Sequence, residues 1–157
     1  MHKDWLFAAE NGICHFRIGA VLIRNNKLLV MCDNGEYALP GGHVSFGETS
    51  KETLIREIKE EISVEIDCDR LIWVEENFWK WGKKKAHNIS LYYLVSLKND
   101  ADIPDDYCEK LNDNKNVSIQ WLSFNEIPHV TIYPQFIKDK IGNISLGIEH
   151  FIRNDWD

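Results

Sequence analysis

The chain has 157 residues, 44% hydrophobic and 27% charged, with a net charge of −7 and a pI near 5.4. By the usual size prior that is a single domain spanning residues 1–157, able to bury roughly 68–70% of its unfolded surface around a real core. The acidic balance argues against a nucleic-acid backbone as partner, since such binders carry a basic patch, and no apolar run approaches the ~18 residues a membrane span needs.

Residues 1–5 lead into no long apolar run with a cleavage site, so a cytoplasmic location is expected. Cys14, Cys32, Cys68 and Cys108 contain no Cys-x-x-Cys pair, which fits neither a zinc site nor a dense disulfide framework. Reduced, mostly buried thiols are expected. Residues 16–23 and 27–32 are β-rich and joined by Arg24, Asn25 and Asn26, a polar turn suited to a hairpin. A short strand at 37–39 runs into Pro40 and the pair Gly41-Gly42, a tight turn where backbone carbonyls can approach a ligand. From 49 to 62, Leu54, Ile55, Ile58 and Ile62 recur at about 100° per residue, which predicts a helix with one apolar side.

Beyond that helix, strands are expected at 71–79 and 88–97, linked by a hairpin tip at 81–85. Residues 99–116 form an acidic polar loop long enough to imply function or mobility. A further strand is expected at 117–122. Pro134 suits a first helical position and Gly142 the residue past a helix end, which predicts a second helix at 135–141. Residues 143–157 carry no clear pattern, and there is no repeat, low-complexity segment or interdomain linker.

The chemistry concentrates on the first helix. Glu57, Glu60 and Glu61 fall within one turn, where like charges repel by a few tenths of a kcal/mol per pair. A hard divalent cation offsets that repulsion. Mg²⁺ takes oxygen ligands at about 2.0–2.1 Å and typically uses one or two carboxylates plus waters and substrate phosphates. Taken alone, the triplet is as well explained by a solvated helix face.

The flanking residues decide between the two. Gly42, Glu48, Arg56-Glu57, the aliphatic Ile58, Glu60-Glu61 and the aliphatic Val64 match position by position the signature of the Nudix hydrolases, which residues 42–64 therefore resemble. The six identities have a chance probability on the order of 10⁻⁷ per start position. One position departs. The family usually has glycine where this chain has Ser63, and a serine must bear a steric cost in the left-handed cap or end the helix differently. A slightly altered turn is expected there, beyond the acidic residues.

The resemblance implies an α/β fold, a mixed-sheet α/β/α sandwich over about residues 16–141. It implies a Mg²⁺-dependent hydrolase, with Mn²⁺ as an alternative, that cleaves the diphosphate linkage of a nucleoside diphosphate joined to another moiety. Metal ions in such chemistry lower the pKa of a bound water and stabilise the leaving oxygen. Glu57, Glu60 and Glu61 become the metal-ligand candidates, with the carbonyl of Gly41 or Gly42 a further one. Arg56 orients carboxylates, or forms a plain ion pair with Glu52 or Glu60. Glu48 supports the site from behind or favours the helix N-terminus. Homodimers are frequent among proteins that the chain resembles.

The general base stays open between Glu57 and an acid of the later loop, Asp102, Asp105, Asp106 or Glu109, for which plain exposure is the commoner fate. Trp73, Phe78, Trp79 and Trp81 cluster along one strand and its turn. Core packing explains most such residues, and Trp79 and Trp81 are the candidates for stacking on a nucleobase. His87 could reach substrate, although a lone histidine at a strand start is more often structural. Lys83, Lys84 and Lys85 are ordinary protection of a hairpin tip. Subfamilies acting on ADP-ribose or dinucleoside polyphosphates often carry a proline or tyrosine near positions 79–82, and neither occurs here. That weakens those two assignments without excluding them, and leaves a nucleoside triphosphate, a nucleotide sugar or another diphosphate open as substrate. A catalytically silent nucleotide-sensing module on the same fold is the alternative, since fold does not fix function.

Overall fold

The structure is a computed structural model and describes residues 2–157. In chain order the strands before the main helix are β1 (Leu6–Ala9), β2 (Gly12–Val21), β3 (Ile23–Arg24), β4 (Lys27–Asp33), β5 (Glu36–Ala38) and β6 (Gly41–His43). Helix α1 (Ser50–Ile62) follows, then the long pair β7 (Ile66–Trp81) and β8 (Lys84–Leu97). The remainder holds β9 (Cys108–Lys110), β10 (Ser118–Ser123), β11 (Thr131–Tyr133), α2 (Ile137–Lys140) and β12 (Glu149–Asn154). One six-stranded sheet has the order β1-β2-β8-β7-β12 with β6 on β2; the other has β11-β5-β4-β10-β9 with β3 on β4.

The expected hairpin at 24–26 forms, with Asn25 and Asn26 both left-handed at φ 51° and 57°. Two positive φ values in succession match the right-handed twist of the flanking strands. The β7–β8 hairpin is longer than expected, turning at Gly82, and register shifts near residues 68–73 bend it. The first sheet mixes parallel and antiparallel pairs: β2 lies parallel to β8 and β12 parallel to β7.

Helix α1 begins on a reciprocal cap. The Thr49 hydroxyl accepts from the Glu52 N–H while the Glu52 carboxylate accepts from the Thr49 N–H. Its apolar side buries Leu54, Ile58 and Ile62 against Ile18, Ala20, Tyr93, Val95 and Ile119. Ile55, placed on that side by periodicity, is 37% exposed. A second cluster, with Trp73, Ile132, Ile137 and Ile141 buried and Tyr92, Phe136 and Phe151 against them, lies toward the C-terminal segment. The sheets thus stand between α1 and the segment carrying α2, as the α/β expectation requires.

Several expectations need correction. Gly41 and Gly42 do not form the expected tight turn: the chain bends at Pro40, and both glycines lie in β6, paired with Gly19 and Ile18 of β2. Ser63 does not alter the turn: it adopts the left-handed conformation itself, at φ 59° and ψ 30°, and its N–H bonds to the Lys59 carbonyl. The strain of roughly 1–2 kcal/mol is offset by Asn112, whose amide donates to the Glu60 carbonyl at 2.9 Å and to the Ser63 hydroxyl at 3.1 Å. The cysteines are free but not mostly buried: Cys14 and Cys108 are exposed, Cys32 and Cys68 half-buried. The second helix is only Ile137–Lys140, starting beyond Pro134. And the patternless tail contains β12, whose half-buried positions are Glu149, Phe151 and Arg153 while Ile152 faces out. That inverts the usual alternation and hides the strand from a hydropathy reading.

Candidate active site

Two glycines bring α1 against the sheet. A Cβ on Gly41 would stand 2.0 Å from the Ile18 carbonyl oxygen, so only glycine lets β6 lie against β2. A Cβ on Gly42 would stand 3.1 Å from both Cδ and Oε2 of Glu57. The Glu57 carboxylate therefore lies directly over the Gly42 backbone.

Arg56 holds the acidic cluster together. Its Nε donates to Glu48 at 3.0 Å, Nη1 to Glu57 at 2.9 Å and Glu60 at 3.1 Å, and Nη2 to Ser45 at 2.8 Å and Glu48 at 3.0 Å. Thr53 also donates to Glu48, at 2.7 Å. Glu48 is thus a brace for Arg56, and Arg56 pairs with Glu60 but not with Glu52, which the helix cap engages. Hydrogen bonds from Arg56 hold the Glu48 carboxyl below the usual carboxylate range, while the acids around Arg56 raise its guanidinium further.

Glu61 stands differently. It is 8% exposed, and its Oε2 has no hydrogen-bond partner. Burial first, then the charges of Glu57 and Asp113, push its carboxyl up to about 8. Burial also raises Glu57, against the pull of Arg56. Such a pair of crowded, desolvated carboxylates is stabilised in its charged form by a cation.

Among the described residues no three His, Cys, Asp or Glu side chains are placed so that together they could hold a metal ion as they stand. Arg56 occupies one Glu57 oxygen, and Glu60 lies at the exposed rim. The residues nonetheless fit a hard divalent cation. The orphaned Glu61 oxygen, the Glu57 carboxylate cradled on Gly42 and the more exposed Glu60 supply oxygen donors only, the set suited to Mg²⁺ or Mn²⁺.

Beside this cluster opens a cavity of about 640 Å³ whose lining includes His15, Arg17, Glu75, Asn77, Trp79 and Asn88. Arg17 connects the two, since it lines the cavity while its charge counteracts the rise at Glu61. His15 Nδ1 lies 2.9 Å from His43 Nε2, the rings stacked, and burial with the nearby Arg17 lowers both histidines, His43 to about 4.

Of the substrate-contact candidates, only Trp79 lines this cavity, with its indole N–H donating to Asn88 at 2.9 Å. Trp81 is 64% exposed at the hairpin tip. His87 belongs to the other face of β8: it stacks on Phe78 at 4.0 Å and abuts Trp156. Trp73 is a core residue. In the acidic loop, Asp105 pairs with Arg24 and Asp102 accepts from Asn99. The loop reaches α1 further on, where the Asn112 N–H bonds to the Glu61 carbonyl at 2.8 Å and Asp113 approaches Glu61.

Arg17, His15, His43, Asp113 and Glu75 escaped the sequence reading. A charged residue at 17 inside the apolar run 16–23 and an acid at 75 between Val74 and the aromatics of β7 were the available signals.

The NUDIX domain family profile matches residues 15–140, and the chain belongs to this family. It is 38% identical over 89 residues to an RNA pyrophosphohydrolase from Nitratiruptor sp., a match covering 52% of this chain and 57% of that protein. The chain thus aligns with little more than half of that relative's length. A NUDIX hydrolase from Nitrosomonas europaea has the same fold, with a TM-score of 0.64 and 15% identity over 94% of this chain and 82% of that one. A MutT protein from Bacillus halodurans superposes with a TM-score of 0.63 at 13% identity, covering 91% and 93%.

Proposed function

We propose that the protein is a divalent-metal-dependent pyrophosphohydrolase that cleaves the diphosphate linkage of a nucleotide derivative. The observation that carries the reading is the buried, unpartnered Glu61 oxygen in a cluster with a Glu57 carboxylate laid over Gly42, with Arg17, which lines the neighbouring cavity, acting on Glu61. Glu57, Glu60 and Glu61 would hold Mg²⁺ or Mn²⁺, with the Gly42 carbonyl as a further donor. That ion would supply charge neutralisation at the diphosphate and an activated water.

The chain's own residues do the rest. Arg56, fixed by Glu48 and Ser45, keeps the Glu57 carboxylate in one orientation, so little reorganisation is left for the moment of reaction. Arg17 faces the substrate's negative charge from β2 and orients the diphosphate by a bidentate fork. Glu57 is the favoured proton acceptor for the attacking water, being half-buried, raised and within the cluster. Asp102 and Asp105 are engaged elsewhere. Trp79 offers an aromatic surface in the cavity for the nucleoside portion.

No helix among the described residues is long and apolar enough to cross a membrane. The four free thiols fit a reducing, cytoplasmic setting. A panel of nucleoside triphosphates, nucleotide sugars and other nucleoside diphosphate derivatives, assayed for product release with Mg²⁺ and with chelator, tests the reading. Metal-dependent cleavage of at least one compound is expected. Binding without turnover across the panel would favour a silent sensing module instead.

A further inference from the structure

Glu75 sits on β7 with only 3% of its surface exposed, and no described group donates a hydrogen bond to its carboxyl. Buried carboxylates are normally paired or hydrogen-bonded, because desolvation without donors is costly. Arg153 is the cation felt there, yet its Nε donates to Asp155 at 2.7 Å. One step along the same face of β7, Asn77 has a buried amide oxygen with no partner.

The neighbouring polar groups satisfy one another. Trp79 donates to Asn88, and Asn88 donates to Ser90 at 2.9 Å. On β7 this leaves two acceptors for a ligand, the Glu75 carboxylate and the Asn77 amide oxygen, in a cavity that the donors Arg17, Lys80, Tyr92 and Arg153 also line. A ligand group seated on those two must bring N–H or O–H donors.

Register says which part of a nucleotide arrives there. Arg17 on β2 is paired with Ser90 on β8, and Ser90 with Glu75 on β7, so the three form one row across the sheet. Two strand spacings separate Arg17 from Glu75, about 10 Å. With a phosphate at Arg17, the ribose lies over β8 and the base reaches β7, where Trp79 supplies the stacking surface.

We propose that Glu75 is the specificity residue of this cavity and that it reads guanine, accepting from the adjacent imino and exocyclic amino N–H groups of one base edge. The inference deepens, and rests on, the reading of the site as one for nucleotide derivatives. The two carboxylate oxygens form a pair of acceptors that matches two neighbouring donors. Guanine alone among the four RNA bases has them. Adenine and cytosine set a ring acceptor beside their amino group, and uracil flanks its single imino group with carbonyls, so each would turn an acceptor toward the carboxylate. Burial raises the Glu75 carboxyl to about 7. Two N–H donors favour its charged form.

Calorimetric titration of the full chain with GMP, IMP and AMP at pH 8, without metal, tests the assignment. IMP differs from GMP only by the exocyclic amino group. GMP is expected to bind at least tenfold more tightly than IMP or AMP, and Glu75→Gln to abolish the difference. Equal affinity for GMP and IMP, or no measurable GMP binding, overturns the proposal, and this comparison needs no variant. A GMP preference that survives in folded Glu75→Gln overturns it as well. Because binding is read without turnover, failure of the base assignment stays separate from failure of the hydrolase reading, which metal-dependent cleavage decides.

Discussion

Replacing Glu57 or Glu61 by glutamine keeps the volume of the side chain and removes the charge that a cation requires. Turnover is expected to fall by at least two to three orders of magnitude, about 3–4 kcal/mol of transition-state stabilisation, in steady-state kcat with Mg²⁺. Near-normal rates in either variant would contradict the assignment of these ligands. Gly42→Ala tests the cradle: its methyl group would press on Glu57 at 3.1 Å. A loss of tenfold or more in kcat is expected while the unfolding midpoint barely moves; unchanged kcat would detach Glu57 from its support on the backbone. The glutamates and Arg56 were singled out in the sequence through their match to the family signature, which lies within one helix and the loop before it. Arg17, His43 and Asp113 were not, since they join the cluster only through strand pairing and a loop that returns to the end of α1.

At the scale of elements, α1 is specified locally at both ends. Its Thr49–Glu52 box satisfies N-terminal N–H groups, so Thr49→Ala is expected to cost about 1 kcal/mol in urea unfolding. No change would mean that neighbouring contacts alone hold the first turn. The hairpins were equally readable, because Asn25-Asn26 and Gly82 are suited to the positive φ their turns need. β12 was not readable: its inward positions include Glu149, which pairs with Lys140, and Arg153, which lines the cavity. β1 lacks the signal for a different reason, being wholly exposed and paired along its length with β2. Where tertiary pairing supplies the stabilisation, periodicity has little to show.

Across the whole molecule, buried acids couple stability to pH. Glu75 titrates at about 7 in the folded state against an ordinary value of 4.5. Below pH 4.5 both folded and unfolded chains keep that proton and the group contributes no penalty. Between 4.5 and 7 the unfolded chain has released the proton while the folded chain keeps it, so stability is lost across that window, by up to roughly 3 kcal/mol from this group, and the loss levels off above 7. Glu61, raised to about 8, acts in the same direction. Urea unfolding at pH 5 and pH 8 is expected to show Glu75→Gln gaining on the parent chain as pH rises; a constant difference would mean the carboxyl is not raised. The proposed metal half of the site is a local motif and the proposed nucleotide half a product of four strands, which is why only the first stood out in the sequence. The central claim is that the α1 glutamates hold the catalytic cation. A crystal soaked in Mn²⁺ with a non-hydrolysable nucleoside diphosphate derivative tests it most directly, through the anomalous signal of the metal. The account predicts a peak within about 2.0–2.2 Å of Glu57 and Glu61 carboxylate oxygens, in contact with the diphosphate. A metal bound to the diphosphate but away from both glutamates would contradict it.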